Sequence, residues 1–401
     1  MTRAGVAFIG GGVVVYLLGS QTQIGWLYLL DAMIWSMLAL SAFLPWWSLR
    51  SLRVERAVWL PSPPNGRQDL ALPIEGGAVE IRLRVTNRGR LARHFIKVVE
   101  DCPLDAPEAR PRTFLLPTVG ARSDVAFSYT TACYQRGLYT SATAVLETTV
   151  PLGLFVRRRR YDLPLTVTVY PAYYEMKGVP VTSDVWAEQG QMVRSSAASD
   201  FYGSREYQHG DPLRHIHWRN TARLGQFVVK EFEEPSQGSI AVAFESVRDW
   251  GVGKETTVEY AIKIAATLAR HCGDSGRSIS ILAGQAPLHQ AGWLEAMDYL
   301  AGLRVEETAS LEGLTAAPEA GRTLLAIVPA RETGLIPSLR RLAERERRLV
   351  VVLLEGFTSG EIPGEFASRL GGGNIDLIRC SRGDVMTAVE ALGRSRLFAS
   401  S

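Results

Sequence analysis

Two apolar runs at the N-terminus constrain this chain more than any other feature. Residues 4–18 contain no charged side chain, and residues 24–47 contain only one, Asp31. A helix needs about 17 to 25 apolar residues to cross the hydrocarbon core of a bilayer, so the second run is long enough and the first is marginal. Only residues 19–23 separate the runs. The pattern therefore predicts two transmembrane helices within residues 1–49, joined by a tight turn.

The charges that flank these runs predict their orientation. Arg3 precedes the first run, the second is followed by Arg50, Arg53 and Arg56, and the connector has no charge. Basic residues concentrate on the cytoplasmic side of membrane proteins. We therefore expect a multi-pass protein of the cell (inner) membrane with cytoplasmic soluble domains. A signal peptide is the alternative for the first run, but that run lacks a small-x-small cleavage site near its end.

The size and charge of the chain exclude several classes of protein. Its 401 residues are enough for two or three domains. A net charge of +3 argues against a nucleic-acid-binding protein, because such proteins carry a strongly basic surface. The cysteines show no metal-ligand spacing; they are Cys102, Cys133, Cys272 and Cys380. We expect buried free thiols, with a disulfide between Cys102 and Cys133 as the alternative.

Residues 50–180 have the pattern of an all-β domain. From Val79 to Thr86, apolar and polar side chains alternate, as in a strand with one buried face. Further strands are expected at 95–100, 125–130, 139–146, 155–161 and 165–170. Short strands at this spacing predict an immunoglobulin-like β-sandwich. The four arginines at 157–160 are expected to form a solvated strand end, with contact to anionic lipid as the alternative.

A connector at 181–237 contains the densest cluster of functional residue types. Residues 203–223 read GSREYQHGDPLRHIHWRNTAR, and residues 226–233 resemble a further strand. The motif residues expected to act in structure or binding are Gly203, Arg205, Tyr207, Gly210, Asp211, Arg214, Ile216, His217, Trp218, Thr221, Ala222 and Arg223.

Three hypotheses compete for this motif. A metal site would use His215 and His217, which share a face in an extended strand, with Asp211 or His209. An anion site would use guanidinium groups, from Arg205, Arg214 and Arg223. An internal network would pair the arginines with Glu206 and Asp211, while Trp218 anchors the connector. We favour the internal network, because a buried arginine must be paired.

The motif string closely resembles the signature of the bacterial family known as domain of unknown function 58. The likeness continues through the strand-like residues that follow the motif and through the segments 136–139 and 151–155. Val150 departs from the pattern, since similar proteins commonly have an aspartate there. The resemblance implies a membrane-associated protein with no established catalytic activity. It also implies a gene often located beside genes for a MoxR-type AAA+ ATPase and other membrane proteins.

Residues 238–401 alternate short apolar strands with helical segments. Strands are expected at 240–244, 279–282, 324–328, 350–354 and 375–378, and helices at 256–272, 293–300, 336–343 and 385–392. Such alternation is typical of a mainly parallel sheet that is covered on both faces. The order of elements resembles the von Willebrand factor A fold.

In that fold the loop after the first strand often binds a divalent metal through a D-x-S-x-S motif. The corresponding residues here are Phe244, Ser246 and Arg248, so one oxygen ligand remains and the arginine would oppose a cation. We therefore expect no metal, although Glu245 or Asp249 could substitute as ligands. We also expect no cofactor, because the glycine run at 371–373 lacks the other residues of a P-loop.

The sequence as a whole predicts a multidomain protein. Its parts are an N-terminal transmembrane helical hairpin, an all-β immunoglobulin-like sandwich and a C-terminal α/β von Willebrand factor A-like (Rossmann-type) domain. We expect a non-enzymatic interaction or scaffold protein in contact with the lipid bilayer. Its partners would be a MoxR-type AAA+ ATPase and other membrane proteins, in assembly or maturation of membrane or envelope complexes. The alternative is a binding protein or enzyme that acts on an anionic ligand through residues 203–223.

Overall fold

The computed structural model divides the chain into two compact units, Met1–Pro171 and Ala172–Ser401. The described residues are 1–60, 72–176, 201–206, 228–232, 240–245, 248–284, 286–304, 323–344, 348–358, 364–370 and 375–395. The N-terminal apolar runs and the β-rich region therefore belong to one unit. The second unit contains the connector strands and the α/β region.

The two apolar runs form helices α1 (Arg3–Thr22) and α2 (Gly25–Arg50). Both are long and apolar enough to cross a membrane, with mean hydropathies of 1.5 and 1.8. Only 17% and 11% of their most apolar windows are buried. A core helix of a soluble protein would instead be mostly buried. The outward-facing apolar side chains therefore suggest membrane association.

Glycines on α1 allow the two helices to approach closely. Gly5, Gly12 and Gly19 are the buried residues of α1, and they recur every seventh position. A Cβ atom on Gly12 would lie 3.2 Å from Cγ2 of Ile34, and one on Gly19 would lie 3.5 Å from Cβ of Leu27. Small residues at such contacts are typical of helix pairs in membranes.

Two antiparallel sheets follow the helices in the described part of the first unit. Their strands are β1 (Leu52–Trp59), β2 (Ala78–Asn87), β3 (Arg93–Asp101), β4 (Arg112–Val119), β5 (Asp124–Ala132), β6 (Gly137–Thr148) and β7 (Arg157–Val169). One sheet has the order β1-β2-β5 and the other β4-β3-β6-β7. Side chains from both sheets share one apolar core, in which Leu83 and Val85 of β2 meet Ile96 and Val98 of β3.

Strand β7 differs from its prediction, because the expected strands at 155–161 and 165–170 form one continuous strand. Pro164, which interrupts the alternation, pairs with Ser141 at a register shift. The strand lies at the edge of its sheet, where a proline leaves no ladder hydrogen bond unmade. Strands β1 and β4 were not predicted.

An ion pair divides the core between the sheets. Arg56 on β1 pairs with Glu100 on β3, and their side chains are 1% and 0% exposed. Val98 belongs to the apolar cluster on one side of the pair, and Cys102 to the cluster on the other side. The sheets are thus held by two apolar clusters with a buried polar link between them.

The second unit contains a two-stranded antiparallel sheet and a six-stranded mixed sheet. The small sheet pairs β8 (Phe201–Glu206) with β9 (Val228–Phe232). A short hairpin, β11 (Gly251–Val252) with β12 (Glu255–Thr256), follows β10. The strands of the large sheet are β10 (Ile240–Phe244), β13 (Ile279–Leu282), β14 (Leu288–Ala291), β15 (Thr323–Pro329), β16 (Arg348–Glu355) and β17 (Ile375–Ser381). Their order in the sheet is β14-β13-β10-β15-β16-β17. All its neighbours are parallel except β13 and β14.

Helices cover both faces of the large sheet. They are α3 (Thr257–Asp274), α4 (Trp293–Gly302), α5 (Ile336–Glu344), α6 (Glu365–Leu370) and α7 (Val385–Arg394). Helices α5 and α6 pack against Ala241 and Ala243 of β10 and their neighbours. Helix α3 contacts β10 and β13 and also α4 and α7. The predicted strands and helices of this region are confirmed, and β11, β12, β14 and α6 are additions.

The four cysteines are free and buried. Cys102 and Cys133 lie in the same apolar cluster of the first unit. Burial raises the pKa of the Cys133 thiol to about 11, and that of Cys272 to about 12. The prediction of buried free thiols is confirmed, and the disulfide alternative is wrong for this structure.

Candidate functional site

The predicted motif falls largely outside the described residues. Gly203 and Arg205 lie on β8, opposite Glu231 and Val229 of β9. The other motif residues lie outside the described part of the chain: Tyr207, Gly210, Asp211, Arg214, Ile216, His217, Trp218, Thr221, Ala222 and Arg223. The strand expected at 226–233 is confirmed as β9. The three hypotheses for the motif remain predictions.

The described part of the second unit has its own candidate site at the carboxyl ends of the parallel strands. After β10 the chain continues to β13 on one side, and β15 lies on the other side of β10. Strand order thus reverses between β10 and β15, and ligands of open α/β sheets commonly bind at such a switch point. Glu245 and Arg248 follow β10, and Glu332 follows β15. We call these three residues the switch-point cluster.

An ion pair joins the two sides of the switch point. Nη1 of Arg248 donates to Oε1 of Glu332 at 3.0 Å. The Arg248 side chain is 67% exposed, whereas that of Glu332 is 17% exposed. The arginine is therefore accessible to a partner, while the carboxylate that holds it is mostly enclosed.

Glu245 adds a second carboxyl group to the cluster. Partial burial raises the pKa of Glu245, and the negative charge of Glu332 raises it further. The positive charge of Arg248 opposes both effects. The charge of Glu245 is thus coupled to that of Arg248, which attracts it, and to that of Glu332, which repels it. The net charge of the cluster therefore depends on protonation and on any cationic group that approaches it.

Asp249 accepts hydrogen bonds from the first residues of helix α3. Its Oδ1 accepts hydrogen bonds from the backbone N of Val258 at 3.0 Å and from Oγ1 of Thr257 at 3.1 Å. Thr256 is the N-cap residue and accepts from the backbone N of Glu259 at 3.4 Å. A carboxylate near a helix N-terminus also interacts favourably with the helix dipole. The Asp249 carboxylate thus has a structural role at the N-terminus of α3.

The described residues of the expected metal loop do not fit a divalent cation. Phe244, at the first ligand position, has 0% of its surface exposed and is part of the core. Arg248 brings a positive charge that is paired with Glu332. Ser246 lies outside the described residues. In the described part of the chain, no group of three His, Cys, Asp or Glu side chains could hold a metal ion.

Tyr260 connects the first turns of α3 with two neighbouring loops on the same edge of the sheet. Its hydroxyl donates to Oε2 of Glu255 and accepts from the backbone N of Gly383 at 2.7 Å. Its ring meets that of Phe357 edge to face, with centroids 4.8 Å apart. Burial and the Glu255 hydrogen bond raise the pKa of Tyr260 to about 12. The loops after β16 and β17 are thereby tied to the start of α3.

Sequence reasoning missed Glu332 and Tyr260. Glu332 follows a predicted strand by a few residues, and the carboxyl ends of parallel strands meet at one edge. That rule could have pointed to Glu332. Nothing local to Tyr260 marks it, because its partners are contributed by Glu255 and by loops more than ninety residues away along the chain.

Comparison with known proteins identifies the segment that contains the motif. Residues 203–290 match the family model described as Protein of unknown function DUF58. The chain therefore contains a DUF58 segment. The matched DUF58 segment runs from within β8 through β9, β10, α3 and β13, so it contains Glu245 and Arg248. Glu332 lies beyond it, and the switch-point ion pair therefore joins the DUF58 segment to a later part of the chain.

No curated protein matches this chain. Among solved structures, the bacterial hydrophobin BslA is 11% identical, with 30% of this chain and 95% of that chain covered and a TM-score of 0.20. GmR58A from Geobacter metallireducens is 16% identical, with 24% and 85% covered and a TM-score of 0.16. An exo-β-N-acetylglucosaminidase from Vibrio harveyi is 9% identical, with 82% and 81% covered and a TM-score of 0.21. Likenesses this distant assign no function.

Proposed function

We propose that this DUF58 protein is a membrane-anchored, non-enzymatic interaction protein that binds a partner at the carboxyl edge of its α/β sheet. The partner that the family resemblance suggests is a MoxR-type AAA+ ATPase. The role would be assembly or maturation of membrane or envelope complexes.

The observation that carries this proposal is the pair of outward-facing apolar helices at the N-terminus. Helix α2 ends at Arg50 and β1 begins at Leu52, so a single residue separates the apolar helix from the first sheet. Leu49 of α2 belongs to the core shared by both sheets. A chain with this arrangement would hold its first soluble unit directly against a bilayer.

Orientation and the finer fold assignments are part of the proposal. The arginines that flank the helices favour cytoplasmic soluble units. The two antiparallel sheets with a common core support an immunoglobulin-like sandwich. The helix-covered parallel sheet supports a von Willebrand factor A-like domain. Both folds serve mainly as binding modules, but a fold alone names no partner.

The switch-point cluster is the surface that we assign to partner binding. Arg248 is exposed, and its Nη1 donates to Glu332 at 3.0 Å. An arginine held by a neighbouring carboxylate loses less side-chain entropy when a partner contacts it, which favours its use at interfaces. The finding that Asp249 and Phe244 serve helix α3 and the core, respectively, supports binding over metal-assisted chemistry.

Crosslinking in native membranes tests the partnership. The tagged full-length chain is crosslinked, solubilised and purified, and MoxR-type ATPases of the same cell are quantified by mass spectrometry. We expect enrichment with the wild-type chain and at least a tenfold loss with R248E. The matched control is R394E, which removes an exposed arginine that pairs with Glu390 on α7. Equal capture by R248E and wild type would exclude this surface, and no capture by any of them would exclude the partner.

Membrane-impermeant labelling tests the orientation. We expect a cysteine introduced at exposed Ser381 to be labelled only after the membrane is permeabilised. Labelling in intact cells would place the soluble units outside and overturn the cytoplasmic part of the proposal. The alternative function, an anionic ligand bound through residues 203–223, remains a prediction because residues 207–223 lie outside the described part of the chain.

A further inference from the structure

A cleft of about 290 Å³ lies where helix α2 meets the two sheets. Its lining consists of Trp47, Arg50, Ser51, Gly89, Arg90, Leu91 and Arg93. Three of these side chains carry a guanidinium group, and none carries a carboxylate. Such a lining attracts an anion and presents apolar surface beside it.

Arg93 is the most constrained of the three arginines. It is 7% exposed, its Nε donates to Oγ of Ser51 at 3.2 Å, and its Cζ lies 4.4 Å from the ring centroid of Trp47. Among the described residues, no partner is found for its two terminal nitrogens. Burial without a carboxylate lowers the pKa of Arg93. A buried guanidinium with free donors in a cleft is a recognition element for a phosphate group.

Arg50 and Arg90 complete the set from more exposed positions. Arg50 is the last residue of α2, and its Cζ lies 5.3 Å from the ring centroid of Trp46. Arg90 lies on the turn between β2 and β3. The described residues provide no carboxylate partner for either side chain. Stacking of Arg50 on Trp46, like that of Arg93 on Trp47, holds the guanidinium group while leaving its N–H groups available.

The cleft lies at the end of the apolar helices. The backbone N of Arg88 donates to the carbonyl of Ser51 at 3.0 Å, so the β2–β3 turn is tied to the end of α2. The start of α1 reaches the same unit, since Oγ1 of Thr2 donates to the carbonyl of Leu154 at 2.9 Å. If α1 and α2 cross the bilayer, this end of the unit meets the headgroup layer.

Exposed apolar side chains surround the cleft. Leu91 is 55% exposed, Trp46 41% and Trp47 38%. Tryptophan is enriched at the headgroup level of membranes, and a large apolar side chain beside arginines suits the same layer. The surface therefore combines the two components of a phospholipid site, a cationic group for the phosphate and apolar contacts for the acyl chains.

The arginine run at 157–160 is engaged differently. Nη1 of Arg159 donates to the carbonyls of Leu49 and Arg50, each at 3.1 Å, and so caps the end of α2. Arg158 pairs with Glu147 at 3.0 Å, and Arg160 pairs with Asp162 at 3.2 Å. Three of the four arginines therefore contact protein groups, which argues against lipid binding by this run.

We infer that the cleft lined by Trp47, Arg50, Arg90 and Arg93 binds the phosphate of an anionic phospholipid. The headgroup would lie between the arginines, and the acyl chains would follow Trp47 and the outer surface of α2. This inference rests on the membrane insertion in the proposed function and is independent of the partner protein.

Native mass spectrometry of the full-length chain in nanodiscs tests the inference. The discs contain equal amounts of phosphatidylglycerol and phosphatidylcholine, and the measured quantity is the ratio of the two lipids that remain bound. A basic residue near an anionic membrane surface contributes enough for about a fivefold effect. We expect R90Q and R50Q each to lower the ratio about fivefold, and R93Q to lower it at least as much.

The matched control is R160Q, which also removes one exposed positive charge from this unit. We expect R160Q to keep the wild-type ratio. Because R93Q disturbs the contact with Trp47, R90Q decides the outcome if R93Q fails to fold. A wild-type ratio in R90Q and R50Q would overturn the inference, as would an equal loss in R160Q.

A second arm separates lipid from soluble anion. Inorganic phosphate is added to the wild-type chain in discs of phosphatidylcholine alone and of the mixed lipids. We expect no displacement of phosphatidylglycerol. Displacement, together with phosphate binding in the phosphatidylcholine discs, would overturn the lipid inference. Loss of the ATPase partnership would change neither readout, so the two proposals fail separately.

Discussion

The side chains of Arg56 and Glu100 form an ion pair between the two sheets of the first unit, with 1% and 0% of their surfaces exposed. Burial raises the pKa of Glu100, and the positive charge of Arg56 offsets only part of that effect. Desolvation of such a pair can cost more than the attraction returns. We therefore expect the pair to fix how the sheets face each other more than it stabilises them.

Removing one partner of this pair should be far more damaging than removing both. E100Q leaves Arg56 buried without a counter-charge, and we expect the free energy of unfolding to fall by about 3 to 5 kcal/mol. The double variant R56M/E100L replaces the pair with apolar groups and should be much closer to wild type. Hydrogen exchange of peptides from β1 and β3 in the full-length protein measures both effects.

The control for this prediction is E80Q, which breaks the exposed pair between Glu80 and Arg82. Exchange from β1 and β3 should be unchanged in that variant, because exposed pairs contribute little. A double variant as unstable as E100Q would show that the ion pair itself stabilises the unit.

The switch-point cluster makes stability depend on pH through Glu245. The pKa of Glu245 is raised in the folded protein, mainly by burial and then by Glu332. Between its unfolded and folded pKa values, the folded chain binds more protons than the unfolded chain, so stability falls as pH rises through that window. E245Q has no ionisable group at this position, so it does not bury a carboxylate next to Glu332. We therefore expect E245Q to be more stable than wild type at neutral pH.

Thermal unfolding of full-length wild type and E245Q over a pH series measures this difference. The advantage of E245Q should shrink as pH falls below the usual range of a glutamate, where both proteins are neutral at this position. E390Q, on the exposed side of α7, serves as the control and should follow the wild-type curve. A constant gap between E245Q and wild type at all pH values would rule out titration of Glu245 as the cause.

Local periodicity predicted most of the fold but little of the sites. The strand at Ile240–Phe244 could be read from its apolar run, and the helix at Thr257–Asp274 from its helical spacing. The cleft at α2 could not, because α2, which carries Trp47 and Arg50, meets Arg90 of the β2–β3 turn and Arg93 of β3 only after packing. For the four-arginine run the sequence favoured a solvated strand end and left lipid contact as the alternative, and the structure pairs most of its members with protein groups.

The hydroxyl of Tyr260 should stabilise the loop after β17. It accepts the backbone N–H of Gly383 at 2.7 Å and donates to Glu255. Y260F keeps the ring contact with Phe357 but leaves the Gly383 amide without its acceptor, at a cost of about 1 to 2 kcal/mol. We expect faster hydrogen exchange at Gly383. Y299F, which removes a different hydroxyl bonded to the carbonyl of Ala283, should leave exchange at Gly383 unchanged.

The ionisation of Tyr260 provides a second measurement of the same contact. Its pKa is raised to about 12, so the ultraviolet absorbance change of this tyrosine should occur only in strong alkali. The difference between the titrations of wild type and Y260F isolates it. A tyrosine that ionises near the usual value of about 10 would show that the hydroxyl is not held in this position.

Close contact between α1 and α2 should depend on Gly12. A Cβ atom there would lie 3.2 Å from Cγ2 of Ile34 and 3.5 Å from Cε2 of Trp35. G12L would separate the helices, and overpacking of this kind commonly costs about 1 to 3 kcal/mol. Neighbouring Gly11 has no atom within 4 Å of its Cβ position, so G11L is a matched control. Melting temperatures of the full-length variants in detergent should fall for G12L and stay near wild type for G11L.

A cysteine pair introduced at Gly19 and Leu27, whose Cβ atoms would be 3.5 Å apart, should form a disulfide in wild type and G11L and much less in G12L. Equal disulfide yields in G11L and G12L would mean that the glycine face is not the contact that holds the two helices together.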